Sequence, residues 1–266
     1  MEQNTYSTRF LDLPRRLEVM GDCAFLNDRL ENIFRNANQN EMRKILRWLT
    51  RAPIQNHDPG VLRVEDLKHD LSERMQPAVN DAPIDGRSIA ELRILKTLPS
   101  IGGITDYESF FELLIYVQQA ACKTPAGIRT ATINTRPDRL GNCVRYPAPE
   151  LIRPSLVRLY KYWQERVLPL PACVAVVMLA ALANIHPFYD GNGRVARIFF
   201  NYVLNSLTPS RLEPIYLPIY EIAAFSNCGF LIRLRQAQYF GEWEPLFMFL
   251  VISAETLFSV KSPPLP

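Results

Sequence analysis

His186-Pro187-Phe188-Tyr189-Asp190-Gly191-Asn192-Gly193-Arg194-Val195-Ala196-Arg197 is the stretch that decides the fold. It crowds a base, a carboxylate, two glycines and two guanidiniums into one short joint. Upstream, Ala172 to Ala183 is apolar on every face and follows Pro171, a residue suited to a first helical position. A helix apolar all round is a buried helix. Downstream, Val195 to Leu204 alternates apolar and polar positions at helical spacing, and Pro209 limits the run. The twelve residues therefore join two helices, and Gly191-Asn192-Gly193 opens the second.

The chemistry of the joint follows from that placement. N–H groups at a helix start have no intrahelical acceptor, and the helix dipole is positive there. Glycines let a phosphate approach such a backbone closely. Arg194 and Arg197 stand three residues apart, so both can face one anion. His186 lies at the rim of this polyphosphate cradle as a base for neutral pH. Asp190 is a hard oxygen ligand suited to magnesium, a cation that keeps several waters and bridges phosphates. Singly, each residue would pass as part of an ordinary helix junction; a junction has no need of all of them together.

Composition sets the frame. A chain of 266 residues, 48% of them apolar, is long enough for a sizeable core. The 30 basic and 27 acidic side chains are interspersed and leave a formal charge of +3, so no basic tract marks nucleic acid as the main partner. Five cysteines (Cys23, Cys122, Cys143, Cys173, Cys228) are scattered without metal-ligand spacing, as expected of free thiols in a reducing compartment. The first ten residues lack the pattern of a signal peptide, and the apolar run near Val167 to Ile185 is too short to span a bilayer. The expectation is a cytoplasmic protein without a membrane partner.

Taken in order, residues 1–80 read as a helical N-terminal region with no recognisable chemistry; Phe25, Leu26, Leu30, Ile33 and Phe34 recur at helical spacing. Residues 76–86 form a linker, and the second region runs over 81–260. Ser88-Ile89-Ala90-Glu91 has the spacing of a capping box. Thr105-Asp106 is placed to cap a helix from Tyr107 to Ala121. The period then changes: Thr130 to Thr135 and Cys143 to Tyr146 read as two short strands of a hairpin. Its edge, at Thr132, Ile133 and Asn134, could dock an extended peptide by strand addition; a plain connecting hairpin is the other reading. Helices resume at Leu151 and close the chain at Gly229 to Tyr239 and Pro245 to Val260.

The twelve-residue stretch matches, at every fixed position, the HPFx(D/E)GNGRxxR motif of the Fic family. The resemblance extends over about residues 104–252. Pro125-Ala-Gly-Ile-Arg129 is similar to the Gly-x-Arg lead into that family's flap hairpin. Tyr146-Pro-Ala-Pro-Glu150 is similar to its proline-rich segment, and Tyr239 to Phe249 to its closing helices. The resemblance implies an all-α bundle with one hairpin flap, and the transfer of AMP from ATP to a hydroxyl of a protein. In that reading His186 deprotonates a target Ser, Thr or Tyr, which attacks the α-phosphate. Asp190 holds magnesium, and Phe188 anchors the loop. Gly191, Asn192 and Gly193 line the anion hole, and Arg194 and Arg197 hold the outer phosphates. Self-modification is a further expectation.

Two departures matter. Asn227-Cys-Gly-Phe230 stands where the family commonly carries aromatics next to the base, which leaves the choice of nucleotide open. Many members also carry an inhibitory Ser/Thr-x-x-x-Glu followed by Gly or Asn. The nearest match here is Asp81-Ala-Pro-Ile-Asp85-Gly86, making Asp85 the candidate for a carboxylate that reaches Arg197; a simple turn is the alternative. Other functions compatible with the cradle are a transferase using another nucleotide or phosphate donor, and a nucleotide-binding regulatory protein without catalysis.

Overall fold

The computed structural model describes residues 5–7, 13, 23–38, 42, 87–122, 127–135, 143–167, 169–209, 211, 213–226 and 229–258. Its elements are β1 (Thr5–Ser7), α1 (Cys23–Asn36), α2 (Arg87–Leu95), α3 (Tyr107–Cys122), β2 (Cys143–Arg145), α4 (Ile152–Arg166), α5 (Pro171–Ile185), α6 (Asn192–Asn205), α7 (Ile219–Phe225), α8 (Gly229–Phe240) and α9 (Glu244–Phe258). The fold is all-α.

The uniform apolar run becomes the centre of the molecule. Every residue of α5 except Ala183 is buried, and each Val or Leu removed from water contributes about 1.5–3 kcal/mol. Its largest interface is with α6, and α1, α4, α8 and α9 pack around it. A helix with no solvent face needs polar help at its start. Asn27 of α1, itself buried, accepts the Cys173 N–H at 3.1 Å and so satisfies one of the unpaired donors in the first turn.

The apolar stripe of α1 is the predicted one: Leu26, Leu30, Ile33 and Phe34 are buried and join the same hydrophobic core as α5 and α9. Phe34 meets Phe258 edge to face at 5.8 Å. Arg29 pairs with Glu255, donating from its NH2 group at 2.8 Å. On α3, Asp106 and Ser109 form the expected cap, with the Ser109 N–H donating to Asp106 Oδ1 at 2.8 Å.

Two expectations are corrected. Residues 5–7 are a strand inside the N-terminal region read as helical. Thr5, Tyr6 and Ser7 run parallel to β2, opposite Cys143, Val144 and Arg145; β-branched and aromatic residues suit a strand once an edge is available. The first arm of the hairpin is also slighter than expected, a single antiparallel bridge between Asn134 and Arg145. The Thr135 N–H donates to Val144 O at 2.8 Å, and the Tyr146 N–H donates to Ile133 O at 3.1 Å. β2 is thus the middle of a narrow ribbon. Much of the N-terminal region, the linker with Asp85 and the segment 136–142 between the two hairpin arms lie outside the described residues.

Candidate active site

The site is built where α5 ends. His186 closes that helix in the left-handed region, at φ 51° and ψ 58°, the one non-glycine residue with positive φ among those described. Such a backbone costs about 1–3 kcal/mol and persists only where its surroundings hold it. Here the holder is Arg129, which is completely buried. Its Nε donates to His186 O at 2.7 Å, and its NH2 group donates to Ile185 O at 3.5 Å and to Pro147 O. NH1 donates to Ala131 O at 2.9 Å, and the Arg129 backbone N–H donates to Pro187 O at 2.9 Å. One guanidinium thus ties both ends of the flap segment to the loop that carries His186. Burial lowers its pKa from the usual arginine value.

The imidazole of His186 is held on one face and at one edge. The Tyr146 ring stacks on it at 3.7 Å and 17°. Nδ1 lies 3.3 Å from Ala183 O; a carbonyl only accepts, so the bond places the proton on Nδ1 and leaves the lone pair on Nε2. Loss of water around the ring pushes its pKa down to about 4; the Ala183 carbonyl opposes this shift, while Arg129 and Arg235 reinforce it. His186 is therefore neutral and basic at Nε2 throughout the neutral range.

The loop after it is closed by side chains. Phe188 is buried, and Asn192 grips its backbone: the Phe188 N–H donates to Asn192 Oδ1 at 2.9 Å, and Asn192 Nδ2 donates to Phe188 O at 2.7 Å. The Asn192 side chain thus shapes the loop, and only its N–H is left for an anion. Gly191 sits at φ +88°, where an added Cβ would lie 2.2 Å from Cys122 Sγ, so glycine is required. The first intrahelical bond of α6 is Val195 N–H to Gly191 O at 2.9 Å, leaving the earlier N–H groups of that turn for a ligand.

Asp190 is largely exposed. Its Oδ1 accepts the Gly191 N–H at 2.7 Å, and its Oδ2 accepts from Arg194 at 2.8 Å. Burial nudges its carboxyl up, but the Gly191 N–H and Arg194 outweigh that and hold it below the usual carboxylate range. Arg194 also donates to Ala121 O at 2.7 Å, which caps the end of α3. Among the described residues no cluster of three ligating side chains could cage a metal. A single hard carboxylate fits a magnesium ion that takes its other ligands from phosphates and water.

Arg197 has a partner that sequence reasoning missed. Glu91 of α2, only 2% exposed, accepts from Arg197 Nε at 3.1 and 3.2 Å and from its NH2 group. Tyr216 donates its hydroxyl to the same carboxylate. Burial opposes the Arg197 charge, but Glu91 outweighs it, so the pKa of Arg197 is raised. The capping box expected at Ser88 and Glu91 does not form. Ser88 lies within α2 and donates its hydroxyl to the buried Glu221, while Glu91 is taken up by a buried cation that offers a stronger interaction than a backbone N–H. Tyr216 is delivered by an asparagine ladder on α6. Asn201 accepts from Leu217 N–H at 2.7 Å and donates to Leu217 O at 3.1 Å, and Asn205 grips Ile215 in the same way.

Thr132 and Asn134 are exposed and Ile133 is half-buried. The flap arm is pinned from the loop by Tyr189, the variable position of the motif, whose hydroxyl accepts the N–H groups of Thr130 and Ala131 at 3.0 and 3.2 Å. No local signal in the sequence pointed to these roles of Tyr146 and Tyr189. Nothing local pointed to Glu91 or Tyr216.

Comparison with known proteins covers the same ground. Residues 113–204 match the sequence model of the Fic/DOC family. A Fido domain-containing protein of Dictyostelium discoideum is 42% identical over 64 residues, which are 23% of this chain and 45% of that protein, so the match spans less than half of the relative. The fold resembles two structures of Fic-1 (residues 134–508) from C. elegans, one of them a single-residue variant. They are 20% and 19% identical, with TM-scores of 0.52 and 0.53, and each match covers 91% of this chain and 72% of the other. At that identity the likeness speaks for the fold alone. Taken with the motif at every fixed position and a loop built to hold it, the match over 113–204 shows that this chain carries a domain of the Fic/DOC family.

Proposed function

We propose that the protein transfers AMP from ATP to a hydroxyl side chain of a protein target. The observation that carries the reading is His186: neutral, oriented by Tyr146 on one face and by Ala183 O at Nδ1, and with Nε2 unbonded among the described residues, it adjoins a loop of open N–H groups and arginines. In this reading Nε2 takes the proton of a target Ser, Thr or Tyr. The hydroxyl oxygen attacks the α-phosphorus, the bond to the bridging oxygen breaks, and pyrophosphate leaves. Rate comes mainly from positioning and from charge stabilisation by donors already in place. Asp190 would hold magnesium, which supplies neutralisation of phosphate charge when bound. The flap arm at Thr132, Ile133 and Asn134 would align the target backbone, held in register by Tyr189 and Arg129.

The test uses ATP, GTP, CTP and UTP, each labelled at the α-phosphate, with magnesium and a mixture of target proteins. The chain and its Glu91→Gln variant should both label protein from ATP. His186→Ala should lower that labelling on the order of a hundredfold or more. Undiminished labelling by His186→Ala, or labelling only from another nucleotide, would refute the proposal.

A further inference from the structure

Tyr220, in the first turn of α7, carries two guanidiniums on one ring: the Arg87 carbon lies 4.2 Å from its centroid and the Arg197 carbon 5.2 Å. The motif arginines are otherwise engaged. Arg197 is neutralised by Glu91, and Arg194 is divided between Asp190 and Ala121 O. Arg87, exposed at the start of α2, has no carboxylate partner among the described residues. A guanidinium lying over an aromatic ring is fixed in place while its in-plane N–H groups stay open to an anion.

We propose that Arg87 is a third phosphate-binding guanidinium of this site, taking the terminal phosphate of a nucleoside triphosphate while Glu91 holds Arg197. The inference rests on reading the loop as a triphosphate site. It assigns Tyr220 as a positioning residue that keeps Arg87 beside the cradle. Arg87 also comes from the same helix as Glu91, so the element that occupies one arginine of the motif supplies another in its place.

The experiment titrates inorganic tripolyphosphate, ATP and AMP, each with magnesium, into the whole chain and into Arg87→Gln, a substitution at an exposed position. A lost charge-assisted bond should weaken tripolyphosphate and ATP about tenfold and leave AMP unchanged. Arg87→Lys should restore part of the loss, and Tyr220→Leu should mimic it. In Glu91→Gln, where Arg197 is released, the same Arg87 substitution should cost less. Unchanged tripolyphosphate affinity in Arg87→Gln, an equal loss for AMP, or no tripolyphosphate binding by the unmodified chain would each overturn the assignment. An Arg87-dependent tripolyphosphate affinity without any AMP transfer would uphold the assignment and defeat only the transfer reading.

Discussion

At the scale of single residues, His186 shows what a motif discloses and what it leaves out. The motif marked it as the base, and a free imidazole would titrate at about 6.5. The folded ring titrates lower because Tyr146, forty positions earlier, covers one face and burial removes its water. Neither contact is local, so neither could be read from the stretch itself. The rate consequence is that kcat/KM should stay level from pH 8 down to about 5 and bend near pH 4; a bend at 6.5 would contradict the burial argument. The stability consequence has a definite sign. The folded pKa lies below the unfolded one, so between pH 6.5 and 4 the unfolded chain takes up a proton that the folded chain refuses. Stability from this group is complete above 6.5 and falls as the solution is acidified, by up to about 3 kcal/mol. Thermal melts should therefore show the chain losing stability relative to His186→Phe toward acid, and parallel curves would show that His186 is not the group responsible.

At the scale of elements, the informative pair is α2 against α6. The sequence placed the helix pair around the motif correctly, because a fully apolar run and an amphipathic run each announce their burial. It did not disclose Glu91 as a carboxylate that reaches Arg197. Motif spacing points to Asp85, which lies outside the described residues, and reads Glu91 as half of a capping box. A capping box and a buried ion pair look identical as letters; only the packing of α2 on α6 distinguishes them, across 106 positions. With Glu91 on Arg197, the arginine that would hold an outer phosphate is occupied. Glu91→Gln keeps the shape and removes the charge, so protein labelling with α-labelled ATP should rise about tenfold, the order expected from one charge-assisted bond. Its melting temperature should fall, because Arg197 and Tyr216 lose their buried partner. Arg197→Ala should not reproduce the gain, since the proposed transfer needs the same guanidinium for an outer phosphate. Labelling that stays level in Glu91→Gln would show that the pair does not restrain the proposed transfer.

At the scale of the whole molecule, the N-terminal stretch is where sequence reading fell furthest short. The stripe on α1 said that one face is buried without saying against what, and the answer is the same core as α5 and α9. Residues 5–7 are too short to announce a strand; they become one because β2 offers an edge 138 positions away. That pairing covers part of the flap. Cys143 is 4% exposed, and Thr5 Oγ1 lies 3.5 Å from its sulfur. Cys173 provides an internal standard, since it is buried in α5 and its shielding does not depend on β1. Removing residues 1–7 should therefore raise the alkylation rate of Cys143 several-fold, read peptide by peptide by mass spectrometry, and leave Cys173 protected. β2 leads directly into Tyr146, so the same truncation should also loosen the ring that stacks on His186 and lower AMP transfer more than nucleotide affinity. If Cys143 stays as protected as Cys173, the strand is not what covers this edge, and the flap is held by the Asn134 bridge, Tyr189 and the Arg129 clasp.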